Sequence, residues 1–301
     1  MLIHVYIAKM MLYRLINLII LSIVNGFFTI AGIFLNSVVV IIAWTSKSFR
    51  KGTSNFMILI LSSFDLLVGI FGHPSIILSV VPWSTRDNSS AHWSTAESNK
   101  YSLTEIGIIV LNYTQSFSMI ALLAMTIDRY LALTRPLFHK IHVTRRRLLS
   151  LTVALQFLLI GVRMLRFFGS HKAIYYAAAF LIATMIMLLL AYMNYGMFRI
   201  AAKAKPNKQA PKMQLVQMNK NCTCVLAVIC FYVCVIPIAV YAMLRLLTDP
   251  SIVDEDTLML IRLWGNTSLS VSSTLNCIIF FWRNEILRKE GKKLLSRCHK
   301  R

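Results

Sequence analysis

Acidic residues are scarce in this chain. Eleven Asp and Glu stand against 32 Lys and Arg, and charged residues of both signs make up only 14% of the 301. A soluble domain carries about 25%, so a water-exposed globular surface is excluded and the 57% hydrophobic content has to be placed in lipid. Cysteines are few as well. All six (Cys222, Cys224, Cys230, Cys234, Cys277 and Cys298) fall inside apolar runs or after the last of them, which leaves no disulfide framework for an extracellular scaffold. Cys222 and Cys224 lack a second ligand pair at zinc spacing, so no zinc site is expected. Short alternating strands are missing, which removes a membrane β-barrel. Met1 to Tyr13 is apolar but lacks a distinct cleavage site, so no cleavable leader is expected.

What the chain has instead is a series of apolar stretches near 16–44, 54–81, 101–134, 147–168, 173–202, 221–247 and 257–281. Each can cross about 30 Å of hydrocarbon with roughly 20 helical residues. Lipid offers no partner to a peptide group, so such stretches must be helices. The expected class is all-α: a seven-transmembrane helix bundle over 1–281, then a short cytosolic amphipathic helix and basic tail over 282–301. Lys and Arg orient it. The first, third and fifth loops and the tail, with their span ends, hold three, six, six and eight basic residues, 23 of the 32. That side is expected in the cytosol and the amino terminus outside, in a multi-pass protein of the cell membrane.

The net charge of +21 is dealt out in short clusters between apolar spans, which is not the continuous basic face that nucleic acid requires. Asn88-Ser89-Ser90 falls in the first outer loop as a glycosylation acceptor, and the Pro-broken segment 203–208 reads as a flexible connection. Beyond the last span, Trp282, Ile286, Leu287, Leu294 and Leu295 recur at helical spacing among Arg283, Arg288, Lys289, Lys292, Lys293 and Arg297. That pattern suits a helix lying on anionic lipids. Cys298 near its end is a palmitoylation candidate, with a plain tail thiol as the alternative.

Polar residues inside the spans carry the functional reading. Thr126-Ile127-Asp128-Arg129-Tyr130 closes the third stretch, an acid beside a base where hydrocarbon gives way to a basic loop. Charge at that depth is costly, so the pair is either a switch or an Arg that snorkels to phosphate with Asp128 as counter-ion. Asp65 stands mid-span with no basic residue nearby in its own helix, and needs a cation, a ring of donors or a proton. Ser118, Ser272, Ser273 and Asn276 offer hard oxygen ligands, which suit Na⁺ or water; a protonated, hydrogen-bonded Asp65 is the alternative. The first span hides Asn36.

In order and depth these residues resemble a known set. Asn36 with Ser37 and Val38 behind it, Asp65 in Leu61-x-x-x-Asp65, Asp128-Arg129-Tyr130, Pro136, Tyr195, then Phe231, Cys234 and Pro237, and finally Asn276 with Phe280 are similar to the motifs of class A (rhodopsin-like) G-protein-coupled receptors, over nearly the whole chain. The resemblance implies that an extracellular ligand biases a two-state bundle whose inner face admits a heterotrimeric G protein. It implies that Arg129, held at rest by Asp128, swings toward Tyr195, with Tyr130, Asn276 and Phe280 completing the switch. The sixth span would pivot at Pro237, beside Phe231 and Cys234. Asn36, Asp65, Ser118, Ser272, Ser273 and Asn276 match a sodium pocket, and no cofactor beyond that structural Na⁺ is implied. Gln217 takes the place where many members carry an acid that pairs with Arg129, which implies measurable ligand-free signalling.

The departures are specific. Val235 replaces the toggle tryptophan, Met187 the fifth-span proline, and Cys277 and Phe280 the proline and tyrosine of the seventh-span motif; the fourth span has no tryptophan. No cysteine near Thr104 or in 169–173 can form the usual disulfide. These absences resemble the branch holding the melanocortin, cannabinoid and lysophospholipid receptors. Leu111 corresponds to the amine-binding aspartate and Ser270 to the retinal attachment point, so neither an amine nor retinal is implied. The pocket candidates are Glu105, Leu111, Asn112, Gln115, Tyr241, Arg245 and Trp264, with Arg262; for Arg262 and Trp264 interfacial anchoring is the competing account.

Three rivals come from other classes. A channel or transporter predicts an internal repeat or broken helices in matching halves, and neither is present. A membrane enzyme would need paired carboxylates, but Asp65 and Asp128 differ in depth by about half a membrane. A receptor-fold protein that binds without coupling is kept open by Val235, Cys277 and Phe280.

Overall fold

A computed structural model describes residues 2–50, 52–84, 95–168, 172–203, 212–247 and 254–299. Among them every regular element is helical. The candidate glycosylation site at Asn88 and most of the connection at 203–208 lie outside the described residues, as do the side chains of Glu105, Gln217 and Cys298. The elements are α1 (Leu2–Thr45), α2 (Lys47–Arg50), α3 (Thr53–Leu67), a π-helical turn (Val68–Gly72), α4 (His73–Ser84), α5 (Thr95–Thr134), α6 (Pro136–His142), α7 (Arg145–Phe168), α8 (Lys172–Lys203), α9 (Lys212–Leu247), α10 (Glu255–Arg283) and α11 (Glu285–His299).

Each expected span lies within these helices, the second running through α3, the π turn and α4. Five segments are long and apolar enough to cross a membrane on composition alone: Lys9–Thr45, Thr53–Val80, Ile109–Thr134, Phe180–Ile200 and Asn221–Arg245. The other two are more polar over their described residues. α7 opens on Arg145, Arg146 and Arg147, and α10 carries buried Asn266, Thr267, Ser270, Ser272, Ser273, Thr274 and Asn276. A helix can keep such a polar stripe in lipid only by turning it toward other helices.

The chain packs as two units. The first comprises Met1–Leu35, Asp65–Gln115 and Phe231–Thr274. Its core joins Leu18 and Leu21 of α1, Ile76 and Val80 of α4, Leu111 of α5 and Leu263 of α10. Small residues set the helix spacing. A Cβ on Gly265 of α10 would lie 2.9 Å from the backbone of Ile238 on α9, so glycine is what allows this close approach. The π turn inserts one residue into the second span and so re-registers the helix. His73, the first residue after it, stacks on Phe28 of α1 at 6.0 Å.

The second unit comprises Asn36–Phe64, Ser116–Cys230 and Leu275–Arg301. Here α5 is the central helix: every residue from Ile120 to Thr126 is buried, whichever way its side chain points. A helix buried on all sides must be surrounded by others. α7 attaches through Gln156 Nε2, which donates to Phe117 O at 3.0 Å, and α3 through Phe64 against Phe117. α11 begins at Asn284, whose Oδ1 accepts from the backbone N–H groups of Ile286 and Leu287 at 3.1 and 3.2 Å, satisfying two of the donors a helix start leaves open. The same side chain donates to Asn55 Oδ1 at 3.1 Å, and Asn55 donates to Phe49 O at 2.9 Å. Leu287 is buried while Arg288, Lys289, Lys292 and Lys293 are exposed, which gives α11 one apolar and one basic face.

Candidate functional site

The charged pair at the end of α5 is built by local chain geometry. Neighbouring residues on a helix project about 100° apart and do not ordinarily meet. Arg129 therefore folds back: its Nε donates to Asp128 Oδ2 at 2.9 Å, and Nη2 donates to the same oxygen. Asp128 and Arg129 are 0% and 3% exposed, where a charge persists only with a partner.

Past Thr134 the helix stops at Arg135, and Pro136 starts α6 at a position where its missing N–H costs nothing. One turn later His139 Nε2 reaches Asp128 Oδ1 at 2.8 Å. The carboxylate thus has a donor on each oxygen. The sequence reading found Asp128 and Arg129 but missed His139, since a loop histidine eleven residues on follows no helical spacing from the acid.

Arg129 also lines a cavity of about 190 Å³, shared with Ser54 of α3, Cys224 of α9, and Phe280, Arg283 and Asn284 near the end of α10. Two guanidinium groups and the α11 cap therefore face one space. On the α9 side, Thr126 Oγ1 and Cys224 Sγ are 3.6 Å apart.

The remaining switch candidates all belong to the second unit. Phe280 and Asn276 are buried. Tyr130 lays its ring on α8: a Cβ on Gly196 would come within 2.9 Å of Tyr130 Cε2, and the Tyr192 ring stands 6.2 Å away. Tyr195, expected to receive Arg129, is 62% exposed, with Arg199 over its ring at 5.8 Å. Tyr192, one turn earlier, holds the contact to α5 through Tyr130.

The hinge candidates Phe231, Cys234 and Pro237 lie in the first unit. Phe231 and Cys234 are buried, and α9 runs unbroken through Pro237. Of the sodium candidates, Asp65, Ser272 and Ser273 fall in the first unit and Asn36, Ser118 and Asn276 in the second; all six are buried.

The ligand candidates all sit in the first unit. Leu111 is a core residue of its apolar cluster. Gln115 Nε2 donates to Ser270 Oγ at 3.0 Å and to Asn266 O at 3.2 Å, and Trp264 Nε1 donates to Asn17 Oδ1 at 3.4 Å. Arg262 lies over the Tyr241 ring at 6.0 Å. Asn112 is half-buried and Arg245 exposed. Leu111, Gln115 and Trp264 therefore take part in interhelical packing and bonding. Sequence reasoning also passed over Asn25, His73 and Thr267, which form a buried network joining α1, α4 and α10.

Comparison with known proteins adds one finding. A family model described as 7 transmembrane receptor (rhodopsin family) matches residues 35–280. No curated protein matches the chain.

Proposed function

Because the chain belongs to the rhodopsin family of seven-transmembrane receptors, we propose that it binds an extracellular ligand and activates a heterotrimeric G protein through Arg129. Members of this family are multi-pass membrane proteins that generally signal by coupling to G proteins, not by enzymatic chemistry. The observation that supports the finer reading is Arg129 itself, which is tied to Asp128 and also faces the cavity bounded by α3, α9 and α10. In that position the guanidinium can leave one partner for another without crossing lipid. Pro237 removes one N–H from the α9 ladder, so the helix can bend there at low cost. A ligand that favours the bent form shifts the population toward a wider cavity and a released Arg129.

The positive-inside bias supports a cytosolic cavity and an amino terminus outside the cell membrane. α11 then rests on anionic lipids of the inner leaflet, Cys298 carries an acyl chain and Asn88 a glycan. Leu111, where an acid would bind an amine, argues for a ligand without a charged ammonium group. In the first unit Asp65, Ser272 and Ser273 supply one carboxylate and two hydroxyls, all buried, hard oxygen ligands that suit Na⁺ over a soft metal. When bound, the cation would balance the charge of Asp65.

A second reading, binding without coupling, draws on Phe280, which is fully buried and has no hydroxyl with which to bridge water. Ligand-independent G-protein activation in cells, measured for the wild type and Arg129→Ala at matched surface display, separates the two. Coupling gives wild-type activity above untransfected cells and a several-fold loss in the variant. Identical background values for both would contradict coupling through Arg129 and favour the second reading.

A further inference from the structure

Asp128 is the only carboxylate between Glu105 and Asp249, a stretch through which Lys and Arg recur. It is the acid to which Arg129 is bonded, while Glu285 at the start of α11 lines the same cavity as Arg129; whatever else Asp128 holds competes with its role as anchor. It holds His139. A carboxylate only accepts hydrogen bonds, so His139 Nε2 must carry hydrogen in the 2.8 Å contact, and any added proton goes to Nδ1. The His139 side chain is 17% exposed while that of Asp128 is fully buried, so of the two His139 is the one in reach of protons from solvent.

The charge state of the ring decides what the contact does. A neutral ring steadies Asp128 with a hydrogen bond and brings no charge, so the carboxylate is matched by Arg129 alone. A protonated ring raises the sum over Asp128, Arg129 and His139 from zero to plus one. The attraction holding Arg129 is then offset by repulsion from the imidazolium, at a buried site where screening is weak. Among the described residues, the charged and titratable groups on the surrounding elements are Arg129 on α5, Arg135 at the turn, Lys140 and His142 on α6, Arg145 on α7, which lies over Phe56 of α3, and, lining the cavity with Arg129, Cys224 on α9, Arg283 on α10 and Glu285 on α11.

We propose that His139 is a positioning residue for Arg129: neutral, it fixes the acid that anchors Arg129, and protonated, it loosens that anchor, so that acidity on this side of the membrane raises ligand-independent activity. The inference rests on the reading of Arg129 as the coupling residue. Proton binding to His139 and release of Arg129 favour each other by linkage.

The test uses full-length receptor in lipid nanodiscs with purified G protein. Nucleotide exchange is followed between about pH 6 and pH 8 for wild type, His139→Gln, His139→Phe and Arg129→Ala. His139→Gln keeps a donor but cannot titrate. Wild-type exchange should rise about fivefold toward pH 6 relative to His139→Gln, the two should coincide at pH 8, and His139→Phe should be raised throughout. An environment-sensitive dye on Cys222, which is exposed on α9, reports the same transition without a G protein. Should His139→Gln follow the wild-type pH profile in the dye signal, the proposal is overturned. Should the dye respond as expected while exchange is absent and Arg129→Ala changes nothing, the coupling reading fails and the proton-sensitive anchor stands.

Discussion

His73 Nδ1 lies 2.7 Å from Asn25 Oδ1, between two side chains that are 1% and 0% exposed. The amide nitrogen of Asn25 already donates to Leu21 O at 2.8 Å and to Thr267 Oγ1 at 2.9 Å. Its oxygen must therefore face the ring, and the ring must present Nδ1–H. One asparagine thus fixes the imidazole tautomer and ties α1 to both α4 and α10. Replacing it with alanine strands two buried polar partners, which costs about 1–3 kcal/mol. We expect Asn25→Ala to lower the melting temperature of the purified protein clearly, and Asn25→Leu with His73→Phe to cost less than the sum of the single changes. Additive losses would show that the two side chains are not coupled.

Gly265 supports a prediction with a built-in control. A side chain at 265 meets the Ile238 backbone at 2.9 Å, whereas a Cβ at Gly161 of α7 has nothing within 4 Å. Overpacking costs typically about 1–3 kcal/mol, and more when the obstacle is backbone. Gly265→Val should sharply reduce surface display and thermal stability, and Gly161→Val should change neither. Equal behaviour of the two would mean that α9 and α10 do not approach this closely.

Asn284 does two jobs that substitution can separate. Alanine removes both the cap of α11 and the bond to Asn55, and loss of a cap costs about 1 kcal/mol. Aspartate caps as well as asparagine but has no hydrogen to give Asn55 Oδ1. Hydrogen exchange at the first amides of α11 should quicken in Asn284→Ala and stay near wild type in Asn284→Asp. Faster exchange in both would assign the order of α11 to the Asn55 contact.

These three cases show what could be read from the chain. The seven apolar stretches all fall within helices, and five segments are long and apolar enough to cross a membrane on composition alone, because burial in lipid demands long apolar helices whatever their partners. Hydropathy could not set their ends: α1 runs back to Leu2 through a segment that is itself apolar, and α9 to Lys212, where helical hydrogen bonding continues beyond the apolar run. Asp128 and Arg129 stood out because charge beside a bilayer is expensive. Asn25, His73 and Thr267 did not, although each is polar within a span, because they are far apart in sequence and only the packing joins them. The π turn at Val68–Gly72 has no local signature of its own. Leu111 was legible as an absent acid, and its core role became clear only with its neighbours from α1, α4 and α10.

By resemblance to the receptor motifs, Gln217 takes the place where many members carry an acid that pairs with Arg129. Without an acid at that place, resting activity should be measurable without ligand, and Gln217→Glu should lower it several-fold at equal surface display. A receptor silent in both forms would contradict a loosely held Arg129. So would unchanged activity in the variant.

The most direct test of the account is nucleotide exchange on purified heterotrimeric G protein by the purified receptor. Three forms are compared: wild type, Arg129→Ala and Ser54→Trp, the last placing an indole in the cavity that Arg129, Cys224 and Phe280 line. The account predicts that the wild type accelerates exchange and that each variant, with its fold intact, loses about tenfold or more, equivalent to about 1.4 kcal/mol of transition-state stabilisation. Exchange by Ser54→Trp and Arg129→Ala at the wild-type rate would show that the partner docks elsewhere.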